Sequence, residues 1–167
     1  MGHHPPRSSA VLLLLLDKGG ETHVVLTKRT HDVANHKGQI SLPGGAWEPN
    51  DSSLLETALR ETREELGIDR EQIEVLGRLP DVYTAASNFN ITPFVARLKA
   101  QPRYHPDPAE VAEVLEVPLS AFRNPEKAWE EERTEPDGKR KVYFFQYGKH
   151  VIWGATARIL KHYMDQD

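Results

Sequence analysis

Cysteine is absent from all 167 residues. That excludes a disulfide, a thiolate nucleophile and any cysteine-based zinc site. A cysteine-free chain fits a cytoplasmic location. Long apolar runs are lacking too. The stretch Ala10 to Leu16 stops well short of the roughly 20 residues a membrane-spanning helix needs. Arg7 ahead of it gives a faint likeness to a signal peptide. However, Asp17-Lys18-Gly19-Gly20 follows at once with no small-residue cleavage site, and reads as a turn between strands. There is no surplus of positive charge: 21 basic residues against 25 acidic give a net charge of −4. That balance argues against a general nucleic-acid binder. Repeats and linkers are also missing, so residues 1–167 are expected to form one domain. Residues 1–9 read as a flexible tail, and His3-His4 within it as tail rather than metal site.

What remains is an ordinary globular composition, 38% hydrophobic and 28% charged. Ala10 to Leu16 and His23 to Thr27 read as strands joined at Gly19-Gly20. A fully apolar first strand implies burial on both faces, hence a central place in a sheet. Further strands are expected at Gly38 to Leu42, Glu74 to Arg78, Ile91 to Leu98 and Val111 to Val117, with a helical turn at Leu119 to Arg123. Trp129 to Thr134 and Lys141 to Tyr147 flank Pro136-Asp137-Gly138 and predict a charged hairpin. Helical spacing returns over Gly154 to Met164. The predicted fold is α/β, a mixed central sheet held between helices.

The chemistry concentrates between Gly44 and Ile68. Ser53, with Glu56 three residues on, forms a capping box, and Gly67 suits the left-handed residue that ends a helix. Between them Leu55, Leu59, Thr62 and Leu66 recur at helical period as the face to bury. Glu61, Glu64 and Glu65 are three and four residues apart and project from neighbouring parts of the helix surface. Charged helix faces are ordinarily just solvated. Here, however, the acids sit in a short, well-delimited helix behind a glycine turn. Three close carboxylates repel one another unless a cation lies between them, and oxygen donors suit Mg²⁺ or Mn²⁺.

This segment resembles the signature of the Nudix hydrolases: G, five residues, E, seven residues, then R-E-U-x-E-E-x-G-U, with U bulky and aliphatic. Gly45, Arg60, Glu61, Glu64, Glu65, Gly67 and Ile68 fall on it. Asp51 replaces the first Glu, eight residues rather than seven precede Arg60, and Thr62 takes an aliphatic position. Leu26 to Thr30 and His36 to Gly45 resemble the leader of the coenzyme A pyrophosphatase-like branch. Glu110 to Val114, Val117 to Leu119 and Ile152 to Ala157 are similar to its later landmarks. Asn88 stands where that branch carries Gly, and Leu42 where it carries an aromatic residue.

The resemblance implies a Nudix-type α/β/α sandwich that hydrolyses a diphosphate in a nucleoside derivative, coenzyme A or acyl-coenzyme A foremost. ADP-ribose, a dinucleoside polyphosphate, or binding without cleavage are the alternatives. It implies Glu61, Glu64 and Glu65 as catalytic metal ligands, joined by the backbone of Gly45, and Mg²⁺ or Mn²⁺ as cofactor. Arg60 is expected to orient a glutamate, pairing with Glu64 one turn on. Lys28, Arg29, Gly44 and Gly45 are expected to meet the phosphates, or the two cations to lie at a solvated strand end. Glu110 is the expected base, with Glu113 the alternative. His36 and His105 read as bystanders, and Ser87 lacks a nucleophile-elbow context. Trp47, Tyr83 and Phe89 either stack on a base or pack in the core. Trp153-Gly154 is expected to open the last helix and fix its packing. An isomerase of isopentenyl diphosphate type would need the missing cysteine. The expected partner is a small nucleotide, with neither nucleic acid nor membrane, and a homodimer is left open.

Overall fold

A computed structural model describes residues 4–30, 38–135 and 138–166. His36, and the Pro136-Asp137 part of the predicted turn, lie outside the described residues.

The chain opens with β1 (Arg7–Lys18) and β2 (Glu21–Arg29), which pair antiparallel across the Gly19-Gly20 turn. The tail therefore ends sooner than expected. Residues 7–9 are strand, and the Asn88 amide binds the carbonyl of His4 at 3.3 Å. Next come β3 (Ile40–Ser41), β4 (Gly44–Ala46) and α1 (Leu54–Leu66). A 3₁₀ turn at Arg70–Gln72 leads into β5 (Ile73–Arg78), β6 (Val82–Thr84) and β7 (Phe89–Leu98). Then follow β8 (Val111–Pro118), a 3₁₀ turn at Leu119–Arg123, β9 (Ala128–Glu135), β10 (Gly138–Tyr147), β11 (His150–Trp153) and α2 (Ala155–Met164).

Eight strands form one mixed sheet with the path β3-β2-β1-β7-β5, to which β4, β6 and β8 attach at β1, β7 and β2. β1 and β7 run parallel, and the other pairs are antiparallel. The apolar run in β1 explains this placement. Leu12, Leu14 and Leu16 pack towards Ala58, Leu59 and Leu66 of α1. Leu13 and Leu15 join a second cluster with Phe145, Ile152, Ile159 and Leu160, from the small sheet β11-β10-β9 and from α2. Alternation along one strand thus feeds two cores, one on each face. The expected sandwich, with a mixed sheet between helical layers, is the architecture found.

Two turns answer departures in the sequence pattern. Asn88 adopts φ 54, so it takes the left-handed conformation for which glycine is the usual choice and which Asn tolerates. Trp153 ends β11 instead of opening α2; Gly154, at φ 73, makes the junction.

Candidate active site

Helix α1 begins and ends where expected, but only the Ser53 half of the capping box forms, because the Glu56 carboxylate accepts instead from Arg70 at 2.8 and 2.6 Å. The Ser53 hydroxyl accepts the Glu56 N–H at 3.2 Å, and Gly67 at φ 71 donates its N–H to Arg63 O at 2.9 Å. Thr62 satisfies its hydroxyl on Ala58 O at 2.8 Å, so a polar residue packs where the family has an aliphatic one.

The loop ahead of α1 is held by Asp51. Its carboxylate accepts from Arg60 Nε at 2.8 Å and Nη2 at 3.0 Å, from Glu48 N–H at 2.9 Å and from Thr57 Oγ1 at 2.8 Å. The Asp51 side chain is 4% exposed, and Arg60 holds it well below the usual carboxylate range. Arg60 then extends Nη1 to Glu61 at 3.1 Å and to Glu64 at 3.3 Å. Its expected pairing with Glu64 is present, but the short, bidentate partner is Asp51. Asp51 is thus a clasp on the arginine that orients the glutamates.

The three glutamates divide. Glu64 is turned to Arg60 and half exposed. Glu65 is not on the open side of the helix: it is 4% exposed and accepts the Gly44 N–H at 3.3 Å. Position 65 follows the buried Thr62 by three residues and so faces inward towards β4. Glu61 lies against Gly45, where a Cβ would fall on its carboxylate. β4 itself is pinned to β1, since a Cβ at Gly44 would run into Ala10 O and Val11 Cα. Glycine at both positions is therefore what lets the strand pass between β1 and the helix carboxylates.

Burial raises the Glu61 carboxyl to about 7, helped by its hydrogen bond with Glu64. Burial, then the Glu61 charge, pushes Glu65 up to about 8, against the Gly44 N–H and the Arg29 charge. Two neighbouring carboxylates that resist ionisation, over a strand with room for no side chain, are donors that fit a hard divalent cation. Among the described residues no three acidic or histidine side chains already converge as a closed ligand set.

Glu110 is exposed and follows a loop tied to the end of α1 by His105 N–H to Leu66 O (2.8 Å) and Asp107 N–H to Glu65 O (3.0 Å). Its charge reaches Glu65. Glu113 instead meets His150 Nε2 at 3.4 Å, and His105 packs against Gly67.

A cavity of about 650 Å³ opens beside β4. Arg29, Gly44 and Gly45 line it, as do Tyr83 and Phe89, whereas Lys28 and Trp47 do not. Lys28 and Arg29 point apart as strand neighbours do, and a bulge against β8 falls between them. Trp47 instead binds Asp51 O through its ring N–H at 3.2 Å. The Nε of Arg29 is buried with no hydrogen-bond partner among the described residues. Sequence reasoning missed Arg133, Arg140 and Arg158 and the exposed Trp153, all on the same cavity wall. A basic residue every few positions in the hairpin is the trace of Arg133 and Arg140, whereas Arg158 lies in α2 and Trp153 reads from the sequence only as a packing residue.

An acidic helix set against a glycine strand on a mixed sheet, with a basic cavity alongside, defines a hydrolase of phosphate-rich ligands. Residues 6–137 match the NUDIX domain, and the chain belongs to the Nudix hydrolase family. It is 38% identical over 157 residues to the Nudix hydrolase NudL of Pectobacterium atrosepticum, spanning 94% of this chain and 81% of that one. A MutT/nudix family protein from Enterococcus faecalis superposes with a TM-score of 0.63 at 16% identity, over 98% of this chain and 63% of that one. The Nudix domain of Shewanella oneidensis NrtR, solved with ADP ribose, gives 0.57 at 22% identity, over 71% and 76%. At such identities these two structures establish the fold alone. No helix among the described residues is long and apolar enough to cross a membrane.

Proposed function

We propose that this Nudix hydrolase cleaves the diphosphate linkage of coenzyme A or an acyl-coenzyme A. The products are then a phosphopantetheine and adenosine 3′,5′-bisphosphate. The observation that carries the reading is the apposition of Glu61 and Glu65 to Gly45 and Gly44, at the edge of a cavity that the same glycines line. Its volume falls within the roughly 300–1,000 Å³ usual for small-molecule sites. The coenzyme A branch is supported by the resemblance of Leu26 to Thr30 and His36 to Gly45, the segments that supply Arg29 and the glycines to the cavity.

Glu61 and Glu65, with Glu64 and the Gly45 carbonyl, would hold Mg²⁺ or Mn²⁺. When bound, such an ion neutralises phosphate oxygens and acidifies water. Arg29 offers a guanidinium with an unpartnered Nε to a phosphate oxygen at the cavity edge. Gly44 and Gly45 allow a phosphate to approach the backbone closely. Arg60, clasped by Asp51, holds Glu61 and Glu64 in orientation. Glu110 takes the proton of the attacking water, which its exposed position near Glu65 permits. The cysteine-free composition supports a cytoplasmic enzyme.

ADP-ribose is the second reading, since a cation held by Glu61 and Glu65 would meet the diphosphate of either compound. The test is a turnover panel of coenzyme A, ADP-ribose, NADH and diadenosine polyphosphates with magnesium or manganese, resolved by product mass. Preferential release of adenosine 3′,5′-bisphosphate is expected. Preference for another compound moves the specificity, and no turnover of any favours a binding module.

A further inference from the structure

The small sheet gives the cavity a wall that diphosphate cleavage does not employ. Arg133 of β9 and Arg140 of β10 stand directly opposite in the ladder, and both line the cavity. Like charges facing across a strand pair are unfavourable. Relief is slight: Glu135 reaches Arg140 Nε at 3.4 Å, and Glu131 lies 3.8 Å from Arg133. Counting Arg29, Arg133, Arg140, Lys141 and Arg158 against Glu135, the lining carries five cations and one carboxylate. The whole chain, by contrast, has a net charge of −4.

An aromatic ladder runs beside these arginines. Trp129 stacks on Phe144 at 5.2 Å, and Phe144 on Trp153 at 6.0 Å, with rings near parallel. The Arg133 guanidinium lies 5.7 Å from the Phe144 centroid and 5.6 Å from that of Trp153. Trp153 nevertheless remains exposed and lines the cavity. A hairpin whose charges were only solvated surface would have no reason to gather them with an exposed indole inside a cavity.

We propose that this wall is a second anion subsite. Arg133 and Arg140 bind a phosphate monoester on the ribose of the substrate's nucleotide half, and Trp153 takes the face of its base. The proposal rests on the reading of the chain as a hydrolase of nucleoside diphosphate derivatives. It narrows that class to members bearing a further phosphate away from the diphosphate. The planar guanidinium fork suits a phosphate monoester, and an indole suits any purine face. The start of α2, which has no side-chain cap, lines the same cavity at Ala155 and Thr156, whose N–H groups precede the first intrahelical bond; the Gly154 N–H is taken by Tyr143 O.

The test is calorimetric titration of the full chain, without metal, with adenosine 3′,5′-bisphosphate and with adenosine 5′-monophosphate. The wild type is expected to prefer the bisphosphate by about tenfold to a hundredfold, the worth of hydrogen bonds to a charged group. Arg133→Gln should erase most of that preference while leaving the unfolding midpoint in place, because its side chain is half exposed. Arg140→Gln provides an independent second variant. Trp153→Leu should weaken both nucleotides by about tenfold, since stacking ignores the ribose phosphate. Equal wild-type affinities, or a preference untouched by both arginine variants, overturn the subsite; unchanged binding in Trp153→Leu overturns the role of the indole. Turnover of coenzyme A and its 3′-dephospho form separates the two readings. Cleavage of both with equal kcat/KM sinks the subsite and keeps the hydrolase. Cleavage of neither, with the bisphosphate preference intact in the wild type and lost in Arg133→Gln, keeps the subsite and sinks the coenzyme A reading.

Discussion

Replacing Asp51 by Asn tests whether the loop ahead of α1 is held as described. The aspartate carboxylate accepts four hydrogen bonds, two of them from Arg60. An asparagine has one acceptor oxygen. If that oxygen serves Glu48, Thr57 and Arg60 Nη2, the amide NH₂ must face Arg60 Nε, donor against donor. Removing one partner of a fully buried ion pair costs about 3–5 kcal/mol. Arg60 is 20% exposed, so water recovers part of the loss. We take about 2–3 kcal/mol, hence a fall of about 4–12 °C in Tm for a chain of this size. Asp51→Glu should not restore stability, although it restores the family's residue. The extra methylene enters a packed site and costs about 1–3 kcal/mol. Urea unfolding gives the free energies directly, and an unchanged m-value would show that only stability had moved. The pH dependence has a definite sign. Asp51 is depressed in the fold, so its stabilisation is complete above its ordinary value of 3.8 and is lost as pH falls below it. Asp51→Asn should therefore flatten the acid limb of the stability curve. An Asp51→Asn protein within about 0.5 kcal/mol of wild type would falsify the clasp.

Three further outcomes follow from the geometry. Gly45→Ala places a methyl on the Glu61 carboxylate, so it should cost about 1–3 kcal/mol in urea unfolding and at least tenfold in kcat/KM; near-normal turnover would contradict the close approach. Glu65 is raised in the fold, so the metal-free protein should lose stability as pH rises from about 4.5 through about 8; Glu65→Gln should flatten that slope in scanning calorimetry, and parallel curves would refute the burial argument. Glu110→Gln should lower kcat about 10²-fold or more at saturating metal without weakening metal binding, and an unchanged pH–rate profile would remove Glu110 as base.

Much of this was legible in the residues because it is local. Ser53, Glu56 and Gly67 delimit α1 through bonds spanning a few positions, and the leucines of β1 announce a strand buried on both faces. What escaped is set by distant partners. β4 is three residues of glycine and alanine whose strand character comes from pairing with Ala10 and its neighbours, not from any pattern of its own. Glu65 reads as one of three exposed acids until β4 is laid over it. Asp51 looks like a shortened form of the first Glu in the family pattern, yet the extra residue before Arg60 goes with a carboxylate turned onto that arginine. The Arg133, Arg140 and Trp153 wall needs β9, β10 and β11 side by side, and hairpin charges alone do not say which face of the sheet lines a cavity.

The most direct measurement is coenzyme A hydrolysis at saturating magnesium by the wild type and by Glu65→Gln, with products resolved by mass. The account predicts a phosphopantetheine and adenosine 3′,5′-bisphosphate from the wild type, and a rate lower by about 10²-fold or more in the variant, the scale of losing charge stabilisation at the reacting phosphate. Glu65→Gln turning over at close to the wild-type rate would contradict it, because the buried glutamate on Gly44 would then have no part in the chemistry.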